Sequence, residues 1–158
     1  DDMSVLNDPL AFRKALFGLL VAGAAKTVPQ NATTTIFTVS GGRILVTSLV
    51  GKVTTVIAGT TPALKLIATP TVGTLNDMCA ALTITATEVG TLFCLPGPTG
   101  SALNGVISKS GSVSGPSVPQ IVAVGTIGMN VSAADATGAI QWQLTYVPLD
   151  DGATVVAN

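Results

Sequence analysis

Side chains that could do chemistry are few in this sequence and widely spaced. None of the 158 residues is a histidine, which removes the usual general base, the Ser–His and Cys–His nucleophile pairs and the commonest metal ligand. A glycosidase needs two carboxylates facing each other across a cleft. Asp77 with Glu88 or Asp135 is such a pair only if the fold brings them together, and solvated turns account for each of them. We therefore predict a non-enzymatic protein with no catalytic, cofactor-binding or metal-binding residues.

The two cysteines, Cys79 and Cys94, lie in two predicted strands, 78–87 and 91–95, that a short turn joins. If these strands pair about that turn, Cys94 faces a residue near Ile84, so a disulfide would require another geometry. We interpret the cysteines as two small buried apolar side chains. A disulfide and a metal role are the alternatives.

Charge is sparse along the whole chain. Charged residues make up 9% of it, against a typical value of about 25%, and the mean hydropathy is +0.64. The net charge is −1 and the seven cations are scattered, which argues against nucleic acid as a partner. The best candidate for a membrane-spanning helix, 15–25, is far shorter than the roughly 20 residues required. We therefore expect no membrane partner and a chain that buries much of its surface against other proteins.

The stretch 36–57, IFTVSGGRILVTSLVGKVTTVI, predicts a β-hairpin with a long second arm. Branched side chains suit a pleated strand, and Gly41-Gly42 tolerates the positive φ of a tight turn. Strict alternation along the second arm defines two faces. One face carries Ile44, Val46, Ser48 and Val50, and the other carries Leu45, Thr47, Leu49 and Gly51.

Short strands separated by Gly and Pro turns continue to the end of the chain, with no helical pattern after residue 25. The last strong strand, 140–148, directs Ile140, Trp142, Leu144 and Tyr146 to one side. We predict an all-β fold, a jelly-roll-like β-sandwich or barrel with a short N-terminal helix or arm. The predicted core includes Ile44, Val46, Ile84, Ile121, Trp142 and Leu144.

The N-terminal segment predicts an apolar arm. Asp8 suits the N-cap of a helix, Pro9 suits its first position, and Gly23 is the predicted stop. The stretch is also similar to a secretory signal, but we expect an arm that lies on the domain or on a neighbour. We divide the chain into an arm and linker, 1–31, and a β-domain, 32–158. The candidate attachment residues of the arm are Leu10, Phe12, Leu16, Phe17, Leu19 and Leu20.

A second candidate surface lies in the segment 89–134, where Lys109 is the only charged residue. Charge is depleted at the cores of protein interfaces, so the segment is a candidate contact between subunits. Core strands joined by neutral loops are the alternative. The candidate interface residues are Val106, Ile107, Val113, Val118, Val122 and Ile127.

Two stretches resemble structural proteins of tailed-bacteriophage virions. They are GAIQWQLTYVPLDDGA, 138–153, with the final VVAN, and IFTV followed by GGR and GKVT between 36 and 54. The proteins that they resemble are head decoration (cement) proteins and other minor virion proteins. The resemblance covers 32–158 and not the arm. It implies a subunit on the outside of a phage head, made in the host cytoplasm, with the major capsid protein or other virion proteins as partners.

The sparse charge and the near-neutral stretch 89–134 favour a closed homo-oligomer. The resemblance favours a trimer in particular, because decoration proteins often sit on three-fold positions. A tail, neck or fibre-base virion protein is the alternative within the same class. A carbohydrate-binding or adhesion module is the alternative of another class. Such modules usually display exposed aromatic side chains, whereas Trp142 and Tyr146 alternate onto a predicted core face.

Overall fold

Two antiparallel β-sheets pack face to face, and one short helix precedes them. A computed structural model describes residues 8–105 and 111–158 of the chain. The helix α1 spans Pro9–Phe17. The expected all-β sandwich with a short N-terminal helix is confirmed.

Twelve strands are present in the described residues. They are β1 (Leu19–Thr27), β2 (Ala32–Ser40), β3 (Ile44–Ala58), β4 (Ala63–Pro70), β5 (Asn76–Asp77), β6 (Leu82–Thr83), β7 (Leu92–Cys94), β8 (Asn104–Gly105), β9 (Gln120–Val122), β10 (Gly125–Val131), β11 (Thr137–Pro148) and β12 (Thr154–Ala157).

The strands divide between two sheets of six. Sheet A has the order β1-β11-β3-β7-β8, with β9 also paired to β3. Sheet B has the order β12-β2-β10-β4-β5, with β6 also paired to β4. The long strands β3 and β11 form the centre of sheet A, and β10 forms the centre of sheet B.

The predicted hairpin 36–57 is wrong, because its two arms belong to different sheets. Strand β2 pairs with β10 and β12 in sheet B, whereas β3 pairs with β11, β7 and β9 in sheet A. The Gly-Gly turn is therefore a corner between the sheets. Gly41 has φ +75°, and a Cβ there would lie 2.2 Å from the carbonyl oxygen of Gly152. Local propensity identified the strands and the turn, but tertiary contacts decided the pairing partners.

The predicted faces of β3 are wrong beyond Val46 because the strand contains a bulge. Tyr146 pairs with Val46 and Thr145 with Ser48, so Thr47 is an extra residue in the ladder. An extra residue moves every following side chain to the opposite face. Leu49, Gly51 and Val53 consequently join Ile44 and Val46 on the buried side.

The core lies between the two sheets, and Trp142 is its largest fully buried side chain. Its ring packs on Gly51, where an added Cβ would lie 2.7 Å from the nearest ring atom. Tyr146 is also buried, and its hydroxyl accepts a hydrogen bond of 3.3 Å from the backbone N–H of Val155, which links β11 to β12.

Five of the six predicted core residues are confirmed, and the prediction that Ile121 is buried is wrong. Ile44, Val46, Ile84, Trp142 and Leu144 are all buried, whereas Ile121 is 65% exposed. Ile121 pairs with Leu45 in the ladder between β9 and β3. Since its neighbour Val122 is buried, alternation along the strand turns Ile121 outwards.

The predicted strand 78–87 is reduced to the two residues of β6, and the chain turns after it at Ala86, which has φ +55°. Strand β6 lies in sheet B and β7 in sheet A, so the two do not pair. Both cysteines are free and buried, which confirms their interpretation as small apolar side chains. Burial raises the pKa of each thiol.

Candidate interaction surface

Helix α1 begins as the sequence predicts. Asp8 has an extended backbone (φ −104°, ψ 105°), and its carboxylate accepts a hydrogen bond of 2.9 Å from the N–H of Leu10. Pro9 occupies the first turn, where its missing N–H costs no helical hydrogen bond.

The helix ends at Phe17, not at the predicted Gly23. Gly18 has φ +94°, and its N–H donates to the carbonyl of Lys14 at 2.9 Å. A Cβ on Gly18 would lie 2.2 Å from the carbonyl oxygen of Tyr146. Glycine therefore permits the chain to pass directly from α1 into β1 against strand β11. The residues after Gly18 form a ladder with β11. The interactions of this ladder outweigh the helix propensity of these residues, so they form a strand.

Helix α1 has no buried residue, although most of its side chains are apolar. Arg13 and Lys14 supply its charged side, and a helix normally packs its apolar face against other protein. The six candidate attachment residues are all exposed, by 57% for Leu10, 43% for Phe12, 59% for Leu16, 61% for Phe17, 38% for Leu19 and 52% for Leu20. We call these six side chains the N-terminal apolar surface.

The bulge in β3 holds the end of the helix in place. The hydroxyl of Thr47 lies 2.9 Å from the carbonyl oxygen of Phe17 and 3.0 Å from that of Thr145. The C-terminal end of α1 therefore lies over the outer side of sheet A, two strands in from β1. A cavity of about 340 Å³ remains between the helix and the sheet. Its lining includes Arg13, Phe17, Leu20, Thr47, Ser48 and Thr145.

Apolar residues continue from the helix across the same end of sheet A. Val147 pairs with Leu45, and Leu45 pairs with Ile121, so the three lie side by side in one row. Val147 and Ile121 are 36% and 65% exposed. A Cβ on Gly18 would approach Cγ2 of Val147 to 3.2 Å, which places the row directly beside the end of α1. A row of apolar residues on three neighbouring strands therefore adjoins the N-terminal apolar surface.

The second candidate surface is only partly exposed. Val122 and Ile127 are buried in the core, 5% and 0% exposed, so their assignment to a subunit interface is wrong. Charge is depleted in core strands as well as in interfaces, so the lack of charge in this segment does not distinguish the two. Val118 is 51% exposed and Val113 is half-buried. Val106 and Ile107 lie outside the described residues.

The ion pair with the best geometry supports the corner between the sheets. Arg43 donates to both carboxylate oxygens of Asp150, at 2.9 and 2.7 Å, and its backbone N–H donates at 2.7 Å. These bonds hold the pKa of Asp150 well below its usual range and raise that of Arg43. The Thr60 hydroxyl and N–H likewise lower the pKa of Asp135. Both groups of hydrogen bonds stabilise loops.

Sequence reasoning missed the strand β1, the bulge at Thr47 and the outward side of Ile121. The local signal that the helix stops before β1 is Gly18, since a glycine that directly follows a helical segment is a common helix end. The other two features depend on ladder partners distant in sequence and left no local signal.

Among the described residues, no group of three or more Cys, Asp or Glu side chains is placed to hold a metal ion. Over the same residues, no helix has the length and apolar character needed to cross a membrane. The chain matches no protein-family model, and the comparisons with curated proteins and with solved structures found no significant match.

Proposed function

We propose that this protein is a non-enzymatic structural subunit of a bacteriophage virion, a decoration or cement protein that binds the outside of the head. The observation that carries the proposal is the N-terminal apolar surface, a helix without a single buried residue followed by two exposed leucines. Single exposed apolar residues are ordinary, but a contiguous apolar patch is typical of an interaction site.

The surface has the size that a specific contact needs. A whole aromatic side chain presents about 200 Å² and a leucine less, so at their observed exposures the six residues present on the order of 500 Å² of apolar area. A typical interface buries about 800 Å² per partner, of which somewhat more than half is apolar. The partner is the major capsid protein or another virion protein, as the resemblance of 32–158 to virion proteins implies. The sparse charge of the chain supports a homo-oligomer, and the resemblance favours a trimer in particular.

The buried aromatic residues support a protein-binding role over the carbohydrate-binding alternative. Trp142 and Tyr146 are 1% and 4% exposed, so neither forms a stacking platform for a sugar. The exposed aromatic side chains Phe12 and Phe17 instead belong to the apolar helix.

Binding to isolated phage heads that lack decoration protein tests the proposal. Purified protein is mixed with such heads, and the bound fraction is measured by co-sedimentation. The variant Phe12→Ser/Leu16→Ser changes two exposed side chains one helical turn apart, so it should fold normally and bind at least tenfold more weakly. The matched control Val72→Ser/Leu75→Ser removes two exposed apolar side chains elsewhere, 88% and 55% exposed, and should bind as the wild type does.

Equal occupancy for all three proteins would show that the helix is not the attachment element. No binding of the wild-type protein to any head preparation would overturn the proposed function itself.

A further inference from the structure

Within the described residues, strand β1 forms an unusually long free edge. It is the terminal strand of sheet A, and the pairing described for it is with β11. It is nine residues long, whereas the other terminal strands in the described part of the chain have two to four residues. Short edge strands are one means by which proteins avoid edge-to-edge pairing, and β1 lacks that protection.

The backbone of β1 presents hydrogen-bonding groups to the outside. The N–H of Val28 donates to the carbonyl of Gly138 at 3.0 Å. Bonded and non-bonded pairs alternate in an antiparallel ladder, so the next pair, Thr27–Ala139, and the pair Ala25–Gln141 are non-bonded. The N–H and C=O groups of Thr27 and Ala25 consequently point away from β11. Helix α1 leaves this edge open, because its C-terminal end lies over β3.

The side chains of β1 restrict what can pair with it. Its sequence LLVAGAAKT has one charge, Lys26, and six of its nine residues are exposed. A complementary strand is therefore uncharged over most of its length, apolar and about as long. Within the described residues, β1 itself is the one sheet edge with these properties. Lys26 is close to the C-terminal end of β1. In an antiparallel pair of β1 strands the two Lys26 side chains therefore lie near opposite ends. They face each other only if the pair is centred on Lys26.

We propose that β1 pairs antiparallel with β1 of a second copy of this chain, which joins two copies of sheet A into one continuous sheet. The outward backbone groups of Ala25 and Thr27 then form ladder bonds with the second copy. This contact is isologous, because each copy supplies the same strand. It goes beyond the proposed function and does not depend on capsid binding. It also requires an even number of copies, so the proposed trimer becomes one half of a hexamer, and a chain without three-fold contacts forms a dimer.

The test uses purified wild-type protein in solution. Light scattering after size exclusion should give an even multiple of 15.7 kDa. The variant Ala22→Lys/Ala25→Lys places two charges at exposed positions of β1 and should halve the mass or reduce it further while the circular dichroism spectrum stays unchanged. The matched control, Thr55→Lys/Ala58→Lys, changes two exposed positions of the interior strand β3 and should keep the wild-type mass.

Amide hydrogen exchange of the wild-type protein gives a measurement that needs no variant. The amides of Ala25 and Thr27 should be protected at high protein concentration and exchange at least tenfold faster on dilution into the monomer range. A wild-type monomer or simple trimer at high concentration would overturn the proposal. So would fast exchange of both amides, or a folded β1 lysine variant that keeps the wild-type mass.

Discussion

The inner face of sheet A and the helix α1 carry side chains of similar apolar character, but their surroundings are opposite. Trp142, Leu144 and Leu49 on the inner face are almost completely buried by sheet B. Within the described residues, Phe12, Leu16 and Phe17 of α1 are 43%, 59% and 61% exposed, because no sheet faces them. Apolar composition therefore does not identify the core of this protein. What separates the two regions is whether a facing sheet exists to cover them.

The largest expected effect is in the inner face. Trp142→Ala removes the largest fully buried side chain and leaves a cavity against Gly51, so it should lower the free energy of unfolding by about 3–5 kcal/mol. Urea denaturation followed by circular dichroism measures this loss. The matched aromatic change in the other region, Phe12→Ala, should cost less than about 0.5 kcal/mol. Equal losses of unfolding free energy for the two variants would show that the two regions are equally buried.

Overpacking the same place should have the next largest effect. Gly51→Ala adds a methyl group 2.7 Å from the ring of Trp142, which forces the ring or the strand to shift and costs about 1–3 kcal/mol. In the Trp142→Ala background the same change should cost much less, since the obstructing ring is gone. Additive losses in the double variant would mean that the ring is not the obstacle.

Truncation of the N-terminal segment tests how much α1 and β1 each contribute to stability. Removal of residues 1–17 deletes α1, which contains no buried residue, and should change the free energy of unfolding by less than about 1 kcal/mol. Removal of residues 1–25 also deletes most of β1, which exposes the edge of β11 and takes away Val21, packed against the core. Thermal denaturation should show a clearly lower Tm for the longer deletion only. Similar Tm values would show that β1 contributes little to sheet A.

The smallest effect is expected from the pH dependence of the corner between the sheets. The pKa of Asp150 is lower in the folded state than its ordinary value of about 3.9. Its stabilising contribution is therefore present above that ordinary value and is lost as the pH falls towards the folded pKa. Asp150→Asn should lower Tm slightly at pH 7, since exposed ion pairs contribute little, and the difference should shrink at pH 3. A difference that grows on acidification would have the wrong sign.

Much of the candidate surface was predictable from the sequence because its signals are local. Asp8-Pro9 marked the start of α1, and the six apolar residues stood out in a segment with little polar surface. The interface residues in 89–134 were less predictable. Lack of charge selects buried strands and interface residues alike, and for Val122 and Ile127 it selected the core.

The sequence by itself determined the fold class, the start of the helix and the inward side of β11. These follow from side-chain alternation, capping and turn chemistry, which act within a few residues. Only the tertiary structure decided that β2 and β3 belong to different sheets, that Thr47 reverses the face of β3, and that Leu19–Thr27 is a strand. Each of these depends on a ladder with a strand far away in the chain. The hydrogen bonds and burial gained there outweigh local preferences that differ by about 1 kcal/mol or less per residue.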